Sequence, residues 1–193
     1  MSERHRIFIA VELDATLHQA VIELQHQLEA AGARVRWNKP GQLHFTLRFI
    51  GEITPAQVAL VKVATREAVN EIAPFTITLR QLGAFPSFHR PQVVWVGVED
   101  GAAELQAVAA KLETHLAHHR FPPEERPFRP HLTLARIRDE RQWGDVVRAL
   151  TRFRDIGVGS QQVQAVTVME SELTPRGPIY TRVEEVSLHS HEK

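Results

Sequence analysis

Several residue types and patterns are absent from this chain of 193 residues, and each absence excludes a class of site. The chain has no cysteine, which excludes disulfide bonds, thiolate zinc sites, iron–sulfur clusters and a cysteine nucleophile. It also has no long hydrophobic run, because the apolar stretch at residues 7–11 is interrupted by Glu12 and Asp14 and is too short for a signal sequence or a membrane span. We therefore expect a cytoplasmic protein that has no contact with membranes.

An excess of charge of either sign is also absent, since 23 lysines and arginines balance 23 aspartates and glutamates. A neutral chain does not coat nucleic acid through net charge, so any surface that binds phosphate must be local. One such surface is suggested by the arginines between Arg126 and Arg154, which could follow an RNA backbone or simply form solvated helix faces. Histidine, by contrast, is abundant, with 11 residues.

Two segments of the chain recur at a constant shift of 87 residues. Residues 7–12 align with residues 94–99, and residues 44–52 align with residues 131–139 at the same shift and without a gap. The second pair of segments has identical His, Thr, Leu and Ile residues at matching positions. The sequence therefore predicts an internal duplication.

Hydrophobic periodicity predicts the same order of elements in both repeats: strand, helix, strand, helix, strand. One helix start is marked by Thr54, Pro55 and Gln57, the pattern of a capping box. The helices are predicted over residues 14–33, from residue 54 onward, and over residues 102–119 and 140–153; the later strands are predicted over residues 75–82, 163–173 and 179–188.

These elements predict an α+β fold in one bilobal domain over residues 1–193, with repeat one at about 6–92 and repeat two at about 93–188. We expect pseudo-two-fold symmetry and two mainly antiparallel sheets that face a central cleft, with the helices outside. Because the repeat already supplies a pair of lobes, we expect a monomer with no protein partner.

Each repeat contains a strand with the pattern His-x-Thr. Alternate side chains of a strand share a face, so His44 and Thr46 are predicted on one face and Phe45 on the other, and His131 and Thr133 are predicted to share a face in the same way. If the two strands lie near the symmetry axis, both histidines face the cleft. Two imidazoles can act as general base and general acid in one step, and threonine hydroxyls can donate to phosphate oxygens. This combination suits attack on a phosphate diester without a metal or cofactor.

The same alternation gives expectations for the neighbouring arginines. Arg48 shares the face of His44 and is predicted to contact phosphate or RNA in the cleft. Arg129 shares the face of His131, although Pro130 between them weakens the argument. Arg136 has the opposite alternation, so periodicity alone predicts that it points away from the cleft.

Two further groups of side chains are candidate binding sites. Phe85, Phe88 and Trp95 surround a predicted loop at residues 85–91 that could hold a nucleobase by stacking, although Trp95 itself is expected in the core. The second group, at the end of one predicted helix, has the spacing of metal ligands and consists of His115, His118 and His119. It has no acidic partner in the sequence, and we predict no metal site.

The chain resembles the two-histidine phosphoesterase superfamily, and within it the bacterial RNA 2′,3′-cyclic phosphodiesterases, formerly called 2′-5′ RNA ligases. The resemblance rests on residues 43–52, 129–136 and 170–180 and covers nearly the whole chain. It implies metal-independent hydrolysis of an RNA terminal 2′,3′-cyclic phosphate to a 2′-phosphate, with 2′-5′ RNA ligation as the reverse reaction.

Carried onto this chain, the resemblance implies that His44 is the proton donor and His131 the proton acceptor. Thr46 and Thr133 would hold the phosphate, and Arg48, Arg129, Arg136 and Phe85 would contact the substrate. The residues alone leave the acid and base assignment of the two histidines open. They also leave open a non-catalytic nucleotide- or RNA-binding module, and a related phosphodiesterase that acts on another 2′-5′ or cyclic nucleotide.

Overall fold

The computed structural model describes residues 3–189 and gives both repeats the order strand, helix, strand, helix, followed by one strand in repeat one and three strands in repeat two. Repeat one contains β1 (His5–Glu12), α1 (Ala15–Ala30), β2 (His44–Ile53), α2 (Pro55–Val69) and β3 (Phe75–Ser87). Repeat two contains β4 (Arg90–Val98), α3 (Ala102–His118), β5 (His131–Arg136), α4 (Trp143–Arg152), β6 (Gly157–Val163), β7 (Ala165–Thr174) and β8 (Gly177–Ser187). None of the helices within residues 3–189 is both long and apolar enough to cross a membrane.

The strands form two four-stranded sheets in which every neighbouring pair is antiparallel. Sheet A has the order β2-β1-β7-β8, and sheet B has the order β5-β4-β3-β6. The predicted α+β fold with two antiparallel sheets is thereby confirmed. One feature was not predicted: β3 of repeat one lies in the sheet of repeat two, beside β4, and β7 of repeat two lies beside β1. Each sheet is therefore built from both repeats.

The predicted helices form where the apolar spacing placed them. In α1 the buried positions include Leu17, Val21 and Leu28, and the Asp14 carboxylate caps the helix by accepting a hydrogen bond of 2.7 Å from the Leu17 amide. In α2 the predicted capping box is present, with the Thr54 side chain accepting from the backbone amide of Gln57.

The third strands differ from their predicted bounds. The strand predicted over residues 163–173 corresponds to β7, and the strand predicted over residues 75–82 continues to Ser87 in β3; the preceding strand β6, in the other sheet, was not predicted. The predicted loop over residues 85–91 is also wrong, because most of this segment belongs to β3 and β4, which pair as a hairpin. Pro86 of β3 pairs with Pro91 of β4, so only a short turn separates the two strands.

Both His-x-Thr strands contain a β-bulge at the same place. In β2 the partner of Ala10 is Thr46 and the partner of Ile9 is Arg48, so Leu47 is an extra residue. In β5 the extra residue is Leu134, which lies 87 residues after Leu47. A bulge reverses the alternation of faces for the residues that follow it, which changes the neighbours of both histidines.

Candidate active site

His44 lies at the start of β2 on the face of sheet A that borders the cleft. Its ring contacts Phe8 of β1, with a centroid distance of 4.8 Å, and the edge of Tyr180 of β8, at 5.1 Å. Phe8 and Tyr180 also contact each other at 5.0 Å, so three aromatic rings fix one another. These contacts restrict the rotation of the imidazole and remove most of it from water.

His131 has a matching environment at the start of β5. Its ring contacts the ring of Phe85 at 5.1 Å, with Trp95 at 6.3 Å. Trp95 lies 87 residues after Phe8, so the duplication supplies one aromatic neighbour to each histidine. The expectation that Trp95 lies in the core is wrong, because its half-buried ring lies on the cleft side of sheet B.

Arg136 links the two histidine environments electrostatically. Burial lowers the pKa of His131, the hydrogen bond to the Arg129 carbonyl raises it, and the Arg136 guanidinium lowers it. The same guanidinium lowers the pKa of Tyr180, against the larger effect of burial, which raises it. Since Tyr180 contacts the ring of His44, Arg136 lies within electrostatic range of both sides of the cleft. The structure therefore brings the two histidines to one cleft that contains a cation.

Opposite charges lie near the two histidines. Burial lowers the pKa of His44 to about 4, although the nearby Glu12 carboxylate favours the protonated ring and acts in the opposite direction. His131 instead has the Arg136 guanidinium nearby, which disfavours protonation. The residue of repeat two that corresponds to Glu12 is Glu99, which is exposed and paired with Arg80. The charge environment therefore breaks the symmetry that the sequence repeat suggests.

The neutral form of His131 has a defined tautomer. Its Nδ1 lies 2.6 Å from the backbone carbonyl of Arg129, which can only accept a hydrogen bond, so Nδ1 carries the proton. In the neutral ring, Nε2 then has the free lone pair. His131 is thus arranged to accept a proton at Nε2.

The two threonines of the motifs lie beside their histidines. Thr46 is exposed and Thr133 is half-buried, and neither hydroxyl has a hydrogen-bond partner among residues 3–189. The backbone carbonyl of Thr133 accepts a hydrogen bond of 2.9 Å from the Asn38 side chain, which anchors β5 to the segment before β2. Both hydroxyls can therefore donate to a bound anion.

The prediction that Arg48 faces the cleft is wrong. The bulge at Leu47 turns Arg48 to the helix side of sheet A, where it is only 7% exposed. Its guanidinium forms ion pairs with Glu113 of α3 and with Glu124, and it donates to the carbonyls of Phe49 and Pro122. Arg48 therefore joins β2 to α3 and to the segment before β5 and does not border the substrate cleft.

The same bulges exchange the neighbouring side chains. Arg136, predicted to point away from the cleft, is exposed on the side of His131 because Leu134 is the extra residue of β5. Phe49, which strict alternation with Phe45 would place on the core face, is 40% exposed, and the Arg6 guanidinium lies over its ring, 4.9 Å from the ring centroid. Arg129 is exposed as well, and it contacts the site through its backbone carbonyl, which orients the His131 ring.

A cavity of about 420 Å³ opens beside Trp95. Its lining includes Phe88 and Arg154, whose guanidinium lies 5.3 Å from the Phe88 ring centroid. Gly83 also lines the cavity. A Cβ at this position would lie 2.1 Å from the Trp95 ring, so only glycine lets the indole lie across β3. Aromatic rings and a guanidinium in one cavity can accommodate a planar base; Phe88 and Trp95 line this cavity, whereas Phe85 lies beside His131.

The histidines at the end of α3 are used differently from a metal site. His115 Nδ1 and His119 Nε2 lie 3.3 and 3.5 Å from a Glu67 carboxylate oxygen, which joins α3 to α2. Within residues 3–189, no group of three His, Cys, Asp or Glu side chains has the arrangement needed to hold a metal ion.

Three residues of the site were not found by sequence reasoning: Phe8, Glu12 and Tyr180. The shift of 87 residues pairs Phe8 with Trp95 and could have indicated an aromatic position in both repeats. Tyr180 is the single tyrosine of the chain and lies in the segment that carried the resemblance. The same shift pairs Glu12 with Glu99, but the sequence could not show that only Glu12 affects the pKa of a histidine.

Comparison with known families identifies the duplication directly. The LigT-like phosphoesterase family matches the chain twice, over residues 11–95 and again over residues 96–180. The chain belongs to this family. The phosphoesterase resemblance inferred from the His-x-Thr motifs is thereby confirmed.

Relatives of this LigT-like protein match it over nearly their full lengths. The RNA 2′,3′-cyclic phosphodiesterase of Aeropyrum pernix is 39% identical, covering 86% of this chain and 94% of that protein. The protein of the same name from Methanothermobacter thermautotrophicus is 35% identical, covering 93% of this chain and 96% of that protein. A Thermus thermophilus crystal structure has a TM-score of 0.78 at 28% identity, covering 97% of this chain and 100% of that chain. The crystal structure of E. coli LigT with 3′-AMP has a TM-score of 0.77 at 25% identity, covering 96% of this chain and 99% of that chain.

Proposed function

We propose that the protein hydrolyses the terminal 2′,3′-cyclic phosphate of RNA to a 2′-phosphate. The observation that carries the proposal is the pair of motif histidines, each enclosed by aromatic rings, with the Arg136 guanidinium in range of both sides of one cleft. Relatives that bear the name RNA 2′,3′-cyclic phosphodiesterase support the same reaction.

In the proposed reaction, His131 Nε2 takes a proton from a water molecule. The oxygen of this water molecule attacks phosphorus on the side opposite the O3′ atom. The P–O3′ bond breaks, and protonated His44 gives its proton to O3′, which leaves the phosphate on O2′. The Glu12 carboxylate near His44 supports the role of proton donor, and the Nδ1 bond and the Arg136 charge near His131 support the role of acceptor. The same steps with the 5′-hydroxyl of a second RNA in place of water would break the P–O3′ bond and form a 2′-5′ phosphodiester, which is 2′-5′ RNA ligation.

The remaining roles follow from charge and position. Thr46 and Thr133 are proposed to donate to the phosphoryl oxygens, and Arg136 to offset their charge. Phe85 is proposed to contact the substrate beside His131. Arg129 is proposed as a more distant contact, because its side chain is exposed near the same histidine. These groups supply acid, base and anion stabilisation themselves, so we expect the reaction to proceed without a metal or cofactor.

We also propose that the protein acts in the cytoplasm, as a monomer that needs no protein partner. The exchange of third strands between the repeats supports this, because one chain completes both sheets and thereby both walls of the cleft. The proposed RNA substrate supports a cytoplasmic site of action.

The decisive experiment is incubation with an oligoribonucleotide that ends in a 2′,3′-cyclic phosphate, in the presence of EDTA. We expect a 2′-phosphate product. His44→Ala and His131→Ala should each lower kcat by about 10² to 10⁴, while circular dichroism shows the native fold. A 3′-phosphate product, or full turnover by either folded variant, would contradict the proposal, and binding without turnover by the wild type would favour a non-catalytic module.

A further inference from the structure

A group of cations lies at the edge of the cleft, apart from the residues that were given roles above. It consists of Arg36 and Lys39, in the segment before β2, and Arg176, in the turn between β7 and β8; we call these three residues the basic rim. All three side chains are exposed. The Arg36 Nη2 and Lys39 Nζ atoms both approach the Arg176 carbonyl, at 3.4 and 3.5 Å.

The basic rim has no compensating negative charge. Many surface arginines of this protein pair with a carboxylate, as Arg66 does with Glu184 and Arg141 with Asp139. Among residues 3–189, none of the three rim residues forms an ion pair. Cations that are held close together without a counter-charge repel one another, and the repulsion is relieved by a bound anion.

The backbone fixes the position of the basic rim next to both catalytic motifs. Asn38, between Arg36 and Lys39, donates to the carbonyls of Leu134 and Thr133, at 2.8 and 2.9 Å, so this segment follows the edge of β5. On the other side, the Gln42 side chain donates to the Pro178 carbonyl at 3.2 Å, which attaches the same segment to β8.

The turn that carries Arg176 is also tightly held. The Thr174 hydroxyl donates to the Gly177 carbonyl at 2.7 Å and accepts from the Arg176 amide at 3.2 Å. Gly177 has a φ of 113°, and a Cβ there would lie 3.3 Å from Gln42 Nε2, so glycine permits the close approach of the two segments. The rim therefore presents its cations from a defined backbone.

The distance from the reaction centre fits a strand longer than one nucleotide. Tyr180 contacts His44 and lies four residues from Arg176, which corresponds to about 13 Å along a strand. This spacing places the Arg176 end of the basic rim beyond the cyclic phosphate itself. It lies at a distance that the next nucleotides of a bound RNA strand can bridge.

We propose that the basic rim binds the backbone phosphates of the nucleotides that precede the cyclic phosphate end. This inference rests on the proposed function and extends it: the substrate is an oligonucleotide, and a nucleoside 2′,3′-cyclic monophosphate leaves the rim unused. Arginine and lysine suit this role because they bind phosphate oxygens of any sequence.

The test compares a nucleoside 2′,3′-cyclic monophosphate with an oligoribonucleotide that ends in the same nucleotide, at several salt concentrations in EDTA. For the variant Arg36→Gln/Lys39→Gln/Arg176→Gln, we expect the ratio of kcat/KM for the oligonucleotide to that for the mononucleotide to fall about tenfold at low salt. The slope of log(kcat/KM) against log salt for the oligonucleotide should fall in magnitude by about 2, since each phosphate contact on a single strand contributes about 0.7.

The matched control variant is Arg66→Gln/Lys111→Gln/Arg120→Gln, which removes the same number of positive charges from exposed positions on the helical side of the protein, outside the stretch from Arg126 to Arg154. It should keep the ratio and the salt slope of the wild type. An unchanged ratio in the rim variant, or an equal fall in the control variant, would overturn the proposal.

A binding measurement separates failure of the rim from failure of the proposed function. The dissociation constant of a fluorescent oligoribonucleotide with a cyclic phosphate end is measured by anisotropy for the His44→Ala/His131→Ala protein, with and without the three rim substitutions. The rim proposal expects the substitutions to weaken binding about tenfold at low salt, whether or not the wild type shows turnover. Equal affinities would reject the rim even if hydrolysis is observed.

Discussion

The two catalytic histidines are equivalent in sequence but differ in the charges around them. Each begins a strand and lies against two aromatic rings. Glu12 nevertheless favours protonation of His44, whereas Arg136 disfavours protonation of His131. One carboxylate and one guanidinium thus give the two imidazoles different charge surroundings, while burial, the larger effect, lowers the pKa of both.

The low pKa of His44, about 4, gives a prediction for the pH dependence of kcat/KM. The active free enzyme needs His44 protonated and His131 neutral, and the pKa of His131 is also below its ordinary value of 6.5. Because kcat/KM reports the free enzyme, its bell-shaped profile should have a maximum below pH 6.5. The substitution Glu12→Gln should lower the pKa of His44 further and reduce kcat/KM at pH 7 about tenfold, which corresponds to a change of about one in the pKa.

The matched control for this substitution is Glu99→Gln, at the corresponding position of repeat two. Glu99 is exposed and, unlike Glu12, does not contribute to the pKa shift of either histidine, so its loss should leave both the pH profile and kcat/KM as in the wild type. Wild-type kcat/KM in the Glu12→Gln protein, or the same change in both variants, would show that Glu12 does not support protonation of His44.

At the scale of elements, the bulges at Leu47 and Leu134 decide which side chains reach the cleft. Without the first bulge, Arg48 would follow His44 and Thr46 on the cleft face and leave Glu113 without its cation. With the bulge, the Arg48 side chain joins β2 to α3 and to the segment that leads into β5. The same element that carries His44 is therefore attached to the chain that leads to His131.

Removal of this attachment should destabilise the protein. The substitution Arg48→Met leaves Glu113 and Glu124 without their shared cation, and we expect the free energy of unfolding to fall by about 3 kcal/mol. Addition of Glu113→Gln should restore part of the loss, because it removes one uncompensated charge. Chemical denaturation measures both effects.

The control is Arg141→Met, which breaks an ion pair that is exposed to solvent. It should change stability little. If Arg48→Met is equally mild, Arg48 does not join the elements as described.

The sequence predicted those features that depend on regular periodicity. The apolar positions of α1, Leu17, Val21 and Leu28, follow helical spacing, so this helix could be found without the structure. The bulges could not be found in this way, because a bulge inserts one residue without a distinctive residue type, and strict alternation then assigned Arg48 and Arg136 to the wrong faces. Glu12 was missed because its effect is a matter of distance in the folded chain.

At the scale of the whole molecule, the exchange of β3 and β7 ties the repeats together. Each sheet needs strands from both repeats, and a continuous cluster of buried side chains includes Leu17 of repeat one and Leu105 of repeat two. Neither repeat can complete its sheet alone. We therefore propose that the chain is a single cooperative domain.

This proposal predicts one unfolding transition. Calorimetry should give a calorimetric enthalpy equal to the van't Hoff enthalpy, and fluorescence and circular dichroism should report the same midpoint. Light scattering on the same sample should give the mass of one chain. Two separate transitions would show that the repeats unfold independently despite their shared sheets.

The strand exchange also bears on how two different histidines could arise from a duplication. A half-length chain with a single repeat could build such a cleft only by lending its third strand to a second copy, as in a domain-swapped dimer. Symmetry would then give both imidazoles identical surroundings, so neither could be specialised as donor or acceptor. Fusion of the two copies keeps the swapped architecture but lets each half mutate separately, and Arg136, whose counterpart in repeat one is Phe49, is a difference that only the fused chain can carry.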